Sequence, residues 1–375
     1  MISRTICHAL PVVVCLAGPG AWAGDAATIT YVTEITEDPA TNLTLDWAIR
    51  MYATAGNLFV VSHRDGRINT FSRDTRSGAV RYLGFQDVAS QLHRPGTHLD
   101  AYPVLSSKNI LYATGEWTHA HGNEDSLGLS WYRFEPKDVS LTLLGNVPCD
   151  AGALRLSPDG QSLYLSAWWS GAIYQIDLDA NGMPTMGAKI VGKGLGTAAE
   201  CSADGRFLYS LTDNDLGWVE IKMDGTLAYG GSCDLAPLHS PGGLRSKTVA
   251  ISPDGRHAYA WLWTYTYSAT ARFDRDAKTG ALTFSGKLEV DPGMQGVNQV
   301  AFATDGRTAY YSAGPETPGS CIGWFTRDPE TGTLTFGGKA PHSPPSCHFV
   351  FCHDSGTIYA AGYWSTKSFW IFSTK

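Results

Sequence analysis

Arg50, Glu200, Arg245 and His348 are the side chains whose types could together do work on a polar ligand. A glutamate or a histidine can take a proton from water, and a guanidinium held nearby can stabilise the oxyanion that the attack creates. Asp46, His98, Asp100, Asn298 and Gln299 would add hydrogen-bonding groups to orient such a ligand. Trp263 and Trp364 offer flat apolar faces with polar tips for stacking on it. A second group is local. In Glu116-Trp117-Thr118-His119-Ala120-His121 two imidazoles fall on one side of an extended segment, and His119, His121 and Glu116 form a donor set that suits a divalent first-row metal. Each reading has a plainer rival. A water-filled channel needs polar lining whatever it does, aromatic rings pack sheets together, and a His-x-His segment can be a polar surface insertion.

These residues are scattered along the chain, so their meeting depends on architecture. Phe59, Tyr112, Tyr164, Tyr209, Tyr259, Tyr310 and Tyr359 each end a short strand-like run, at intervals of about fifty residues, the mark of a repeat fold. Ser-Pro-Asp-Gly turns at 157–160 and 252–255 precede two of them, and blurred copies at 202–205, 303–306 and 354–356 precede three more. Asp-Gly supplies the positive backbone angles of a tight hairpin. With four strand-like pieces per unit and no helical stretch between units, the pattern predicts an all-β fold: a seven-bladed β-propeller, four antiparallel strands per blade. Closing the ring removes exposed sheet edges. The last unit, from Phe349, has only three strands, and the orphan strand Thr28–Ile35 is expected to complete it. In such a ring two sets of connections share one mouth: those entering the innermost strands and those between second and third strands. The candidates above fall on the innermost strands or in these connections. The His119/His121 segment is longer than its counterparts, and His98 and Asp100 lie in the stretch feeding the same blade.

The ends and the totals narrow the function classes. Residues 1–23 read as a signal peptide: Arg4, an apolar run through Pro11-Val12-Val13-Val14-Cys15-Leu16, and Ala21-Trp22-Ala23 as a small-x-small cleavage site. A secreted or periplasmic protein is expected, with residues 24–375 forming a single propeller domain. The leader run is too short to span a bilayer, and no other segment could cross one. A net charge of −7 without a basic run argues against nucleic acid. That leaves a small-molecule ligand as the expected partner, and a monomer. An oxidising compartment permits disulfides among Cys149, Cys201, Cys233, Cys321, Cys347 and Cys352. Cys321 and Cys347 fall in rim loops of neighbouring repeats and are the preferred pair, whereas Cys201 and Cys352 lie within strands as small buried hydrophobes.

At this point the chain resembles the lactonase-type seven-bladed propellers, the group containing bacterial 6-phosphogluconolactonases and fungal carboxymuconate cyclases. The residues that carry the resemblance are the Ser-Pro-Asp-Gly-Arg-x-x-Tyr turns and the Arg-Asp-x-x-Thr-Gly-x-Leu hairpins at 275–282 and 327–334, with a weaker copy at 73–78. In that family a His often stands eleven residues before the blade aromatic. Here Ala48, Ala101, Ala153, Ala198, Thr248 and Gln299 occupy that place, and His348 alone matches it. The resemblance implies lactone-ring hydrolysis or its reverse; position at the mouth, not the resemblance, assigns His348 or Glu200 to activating water and Arg50 or Arg245 to stabilising the oxyanion. Two alternatives stand beside it: a non-catalytic ligand- or protein-binding propeller outside the cytoplasm, and a metal-dependent enzyme using the His119/His121 loop.

Overall fold

A strand pressed between two neighbouring sheets must be apolar on both faces, and the second strand of each unit is. Leu58, Phe59, Val60 and Val61 are fully buried in succession, and Phe207, Leu208 and Tyr209 likewise. The fourth strand faces solvent, and its sequence loosens accordingly: in Leu334–Lys339 only Leu334 is buried. The structure, a computed structural model, describes residues 29–375 apart from 47, 89–97, 119–123, 139, 151, 158, 168–169, 197, 213, 224, 236–237, 239–244, 264–267, 289–296, 314–320, 342–346 and 363–366. Among the described residues no helix is long and apolar enough to cross a membrane.

The described chain begins with β1 (Thr30–Thr36). Blade 1 follows as β2 (Ala48–Ala53), β3 (Asn57–Ser62), β4 (Arg67–Arg73) and β5 (Val80–Asp87). Blade 2 is β6 (His98–Leu105), β7 (Ile110–Thr118), β8 (Glu124–Glu135) and β9 (Ser140–Val147). Blade 3 is β10 (Gly152–Leu156), β11 (Ser162–Ala167), β12 (Ala172–Leu178) and β13 (Pro184–Val191). Blade 4 is β14 (Ala198–Cys201), β15 (Phe207–Leu211), β16 (Asp215–Ile221) and β17 (Leu227–Asp234). Blade 5 is β18 (Arg245–Ile251), β19 (His257–Trp263), β20 (Ser268–Arg275) and β21 (Leu282–Leu288). Blade 6 is β22 (Val297–Phe302), β23 (Thr308–Ala313), β24 (Cys321–Arg327) and β25 (Leu334–Lys339). Blade 7 is β26 (Cys347–Cys352), β27 (Thr357–Gly362) and β28 (Ser368–Ser373), with β1 as its fourth strand.

The protein is therefore a seven-bladed propeller of four-stranded antiparallel sheets, as the repeat predicts. The orphan N-terminal strand pairs antiparallel with β28, Thr30 opposite Ser373 and Thr36 opposite Ser368. The innermost strands β2, β6, β10, β14, β18, β22 and β26 each neighbour the next, and β26 neighbours β2, so the ring is closed. Among the described residues the buried apolar side chains fall into seven clusters, each shared by two adjacent blades. Along β3, Leu58 and Val60 pack toward blade 7 while Phe59 packs toward blade 2.

The two repeated motifs meet at these seams. Tyr259 of blade 5 donates its hydroxyl to the Gly332 carbonyl of blade 6 at 2.7 Å, and Tyr112, Tyr209 and Tyr359 reach Gly182, Gly280 and Gly78 of the following blade in the same way. Gly332 has φ of +70°, and a Cβ there would come within 2.5 Å of His257, so the approach requires glycine. From blade 6, Arg327 returns the grip: Nε to the Tyr259 hydroxyl at 3.0 Å, Nη2 to Asp254 at 2.8 Å and to His257 Nδ1 at 2.7 Å. Because arginine can only donate, His257 accepts through Nδ1 and carries its proton on Nε2, which faces Asp274 at 3.8 Å. Arg275 repeats the clasp on Tyr209 and Asp204, and Arg73 repeats it on Asp354, fastening blade 1 to blade 7. The Ser-Pro-Asp-Gly and Arg-Asp motifs thus hold blades together.

Of the expected Cys321–Cys347 disulfide, Cys321 lies buried 3.9 Å from the Tyr311 hydroxyl, and the Cys347 side chain is outside those described. Cys201 and Cys233 are free thiols.

The Arg327 guanidinium is fully enclosed, so Arg327→Ala removes the only cation bonded to Asp254 among the described residues and one of the two bonds of the Tyr259 hydroxyl, and is expected to cost about 2 kcal/mol at pH 7. Burial pushes the Asp254 carboxyl up, but hydrogen bonds from Ser252, the Arg256 amide and Arg327 outweigh it and hold it below the usual range. A carboxylate lowered on folding contributes fully above its unfolded value of about 4 and loses that contribution as pH falls further. Thermal unfolding of the two proteins should differ at neutral pH and converge below about pH 4.

Candidate functional site

The pairing register shows which innermost-strand residues share a level in the channel. Two residues beyond each blade aromatic, the partner on the innermost strand is Arg50 in blade 1, Tyr102 in blade 2, Ala153 in blade 3, Ala198 in blade 4, Thr248 in blade 5, Gln299 in blade 6 and His348 in blade 7. Counting eleven residues back from the aromatic gave Ala48 and Ala101 for the first two blades. The turns joining innermost and second strands are shorter there, spanning 54–56 and 106–109 against 157–161 in blade 3, and this moves Arg50 and Tyr102 into register. Arg50 therefore stands at the same level as His348, on the neighbouring innermost strand. Arg50, Thr248, Gln299 and His348 are all buried and make a polar arc over blades 5, 6, 7 and 1.

One step deeper, opposite the aromatics themselves, stand Tyr52, Val104, Arg155, Glu200, Ala250, Ala301 and Val350. Arg155 and Glu200 are the charged members of this level, on adjacent blades 3 and 4, and they pair: Arg155 Nη2 donates to Glu200 Oε2 at 3.2 Å. Arg155 Nη1 also donates to the Leu154 carbonyl at 3.1 Å. Burial pushes the Glu200 carboxyl up to about 7 against the opposing pull of Arg155. The next residue, Cys201, is pushed up to about 12 by burial and by the Glu200 charge, so its thiol stays protonated. A carboxyl poised near neutrality can give or take a proton, which suits general acid–base work.

Arg155 was not among the sequence candidates. Its signal was present: it stands nine residues before Tyr164, as Glu200 stands nine before Tyr209.

The remaining candidates fall as follows. Gln299 uses its side-chain carbonyl to accept the Phe349 amide at 3.0 Å, a strap between blades 6 and 7. Asn298 lies on a bulge of β22 and is buried. Asp46, at the mouth of blade 1, has its carboxylate 4.0 Å from Arg64 and its backbone carbonyl bonded by the Ser62 hydroxyl at 3.1 Å. Arg245 and Trp263 face each other in the β18–β19 register at the mouth end of blade 5, with side chains outside those described, and Trp364 lies outside the described residues altogether.

In blade 2 the presumed loop insertion is an extended hairpin: β7 and β8 stay paired out to Thr118 opposite Glu124, and β6 follows to His98. Asp100 is opposite Glu116 in this register, with both side chains outside those described. His119 and His121, at the tip, lie outside the described residues. Among the described residues no three His, Cys, Asp or Glu converge for a metal.

No family model and no curated protein sequence matches the chain. Solved structures do. The chain is similar to a periplasmic gluconolactonase of Pseudomonas aeruginosa, at 17% identity and a TM-score of 0.62, covering 95% of this chain and 91% of that one. A putative 6-phosphogluconolactonase of Bacteroides fragilis matches at 16% identity and TM-score 0.59, covering 87% and 90%. Hydrazine synthase of Kuenenia stuttgartiensis matches at 15% identity and TM-score 0.61, covering 88% and 97%. The fold is that of the lactonase-type seven-bladed propellers, shared at low identity with proteins of other names, so the side chains must carry the argument about chemistry.

Replacing Arg155 by methionine keeps much of the volume but strips Glu200 of its cation. A carboxyl whose folded value is raised loses stability as pH climbs from its unfolded value of about 4.3 toward the folded one, and Arg155→Met raises the folded value further. The thermal midpoint of Arg155→Met should therefore fall further below wild type at pH 8.5 than at pH 5.

Proposed function

We propose that this is an exported propeller, secreted or periplasmic, that binds a small anionic or sugar-derived ligand within the ring and hydrolyses a lactone. The observation that carries the reading is the Glu200–Arg155 pair on neighbouring innermost strands, one level below an arc that includes Arg50 and His348. The likeness to a structure described as a periplasmic gluconolactonase supports both the reaction class and the location.

In this mechanism the Glu200 carboxylate removes a proton from water as the water oxygen bonds to the lactone carbonyl carbon. The carbonyl electron pair moves onto oxygen, and a guanidinium, Arg50 or Arg245 with Arg155 beside Glu200, stabilises that oxyanion. The electrons then return, the ring C–O bond breaks, and the leaving alkoxide takes a proton from Glu200 or from protonated His348. One water is consumed and an open-chain hydroxy acid is formed. Arg155 positions Glu200 and counters its charge.

A binding-only propeller is the second reading, favoured by Gln299, which stands where the resemblance would place a histidine and uses its side-chain carbonyl to accept the Phe349 amide.

A panel of sugar and simple aliphatic lactones, followed by pH-stat titration, tests the choice. Turnover is expected, with kcat/KM rising through about pH 7 as Glu200 loses its proton. Glu200→Gln should lower kcat about a hundredfold or more, and His348→Ala less. No turnover of any lactone by a protein that still binds sugar acids would leave the binding reading in its place.

A further inference from the structure

The grip between Arg155 and Glu200 is single-pronged. One nitrogen, Nη2, meets the carboxylate, while Nη1 is turned to the chain's own Leu154 carbonyl. Guanidinium groups favour two parallel hydrogen bonds to a carboxylate, so this one retains capacity for a better-placed anion. The two side chains are 12% and 10% exposed, enclosed but not sealed, and both leave innermost strands. We propose that the pair works as an anion-for-proton exchanger: a ligand carboxylate displaces Glu200 from Arg155, and Glu200 binds a proton as it loses its partner. This rests on the ligand-binding reading above and narrows it to acid anions of the sugar-acid type, the product side of a lactone hydrolysis.

The reason is electrostatic. A carboxylate left buried without its cation is far costlier than the neutral acid, so displacement and protonation must go together. The surroundings offer Glu200 no second cation among the described side chains. From β10 it faces Arg155; on its own strand lies Cys201, a protonated thiol. Opposite, on β15, Tyr209 turns its hydroxyl to Gly280 and Arg275, and Tyr164 on β11 is itself pushed up to about 12, chiefly by burial. On the far side β18 brings Arg245 and Lys247, with side chains outside those described.

Isothermal titration with sodium D-gluconate, in HEPES and in Tris at matched pH, counts the protons exchanged. Wild type at pH 8 is expected to take up close to one proton per gluconate, and its affinity should fall about tenfold between pH 6 and pH 8. Glu200→Gln should bind gluconate with no proton uptake and no such fall. Arg155→Met should lose binding, and Arg155→Lys should keep part of it, with thermal midpoints checked for both. Gluconate bound by wild type without proton uptake would overturn the exchange while leaving the ligand-binding reading intact. So would lactone turnover without gluconate binding at millimolar concentration. Absence of both binding and turnover would remove the two together.

Discussion

The apolar clusters found in this propeller are shared between blades, and closure of the ring follows from that. A four-stranded sheet alone would leave both faces of its second strand in water; β3, for instance, sends Leu58 and Val60 one way and Phe59 the other. Burial of those faces is the dominant favourable contribution to folding, and it is complete only when each blade has a neighbour on either side. The arginine clasps add direction to this non-directional attraction. Arg327 and Arg275 bind a tyrosine hydroxyl and an aspartate of the preceding blade, which sets the angle at which adjacent sheets meet. Arg73 does the same across the junction of first and last blades by way of Asp354.

Once the ring has a fixed circumference, the innermost strands have little freedom, and the channel lining is decided by register. Levels alternate along each strand, so a polar side chain is presented or withdrawn by a shift of one residue. The protein places a guanidinium and a carboxylate next to each other at the deeper level, where desolvation penalises both. A well-packed apolar pair there would be the easier way to build a ring. The cost is visible in the Glu200 carboxyl, which burial raises against the pull of Arg155.

Much of this was legible in the chain. The spacing of the blade aromatics and the Asp-Gly turns indicated the blade number, the four strands and the closing role of the N-terminal strand, because the seams at Tyr112, Tyr209, Tyr259 and Tyr359 repeat the same hydroxyl-to-glycine bond and so demand the same residues. Glu200, Arg50 and His348 were legible as innermost-strand groups for the same reason. Their relative levels were not, since a turn shortened by one or two residues moves a strand past its partner without altering the apolar pattern. Arg50 came into line with His348 only through the β2–β3 register. Arg155 was passed over because it stands between Leu154 and Leu156 with no other polar residue beside it, and its partner is on the next blade. The mouth connections vary in length from blade to blade, so periodicity says least where ligand contacts would be made.

The junction of β1 with β28 also has a mechanical side. The strands run antiparallel with Thr30 beside Ser373, so the beginning and end of the folded ring emerge at the same corner of one sheet. Tension applied between the two termini would load the ladder's rungs singly, from that corner inward, instead of all at once in shear. The ring would peel open at its own fastening, and blade 7 would part from β1 before any other sheet felt the pull.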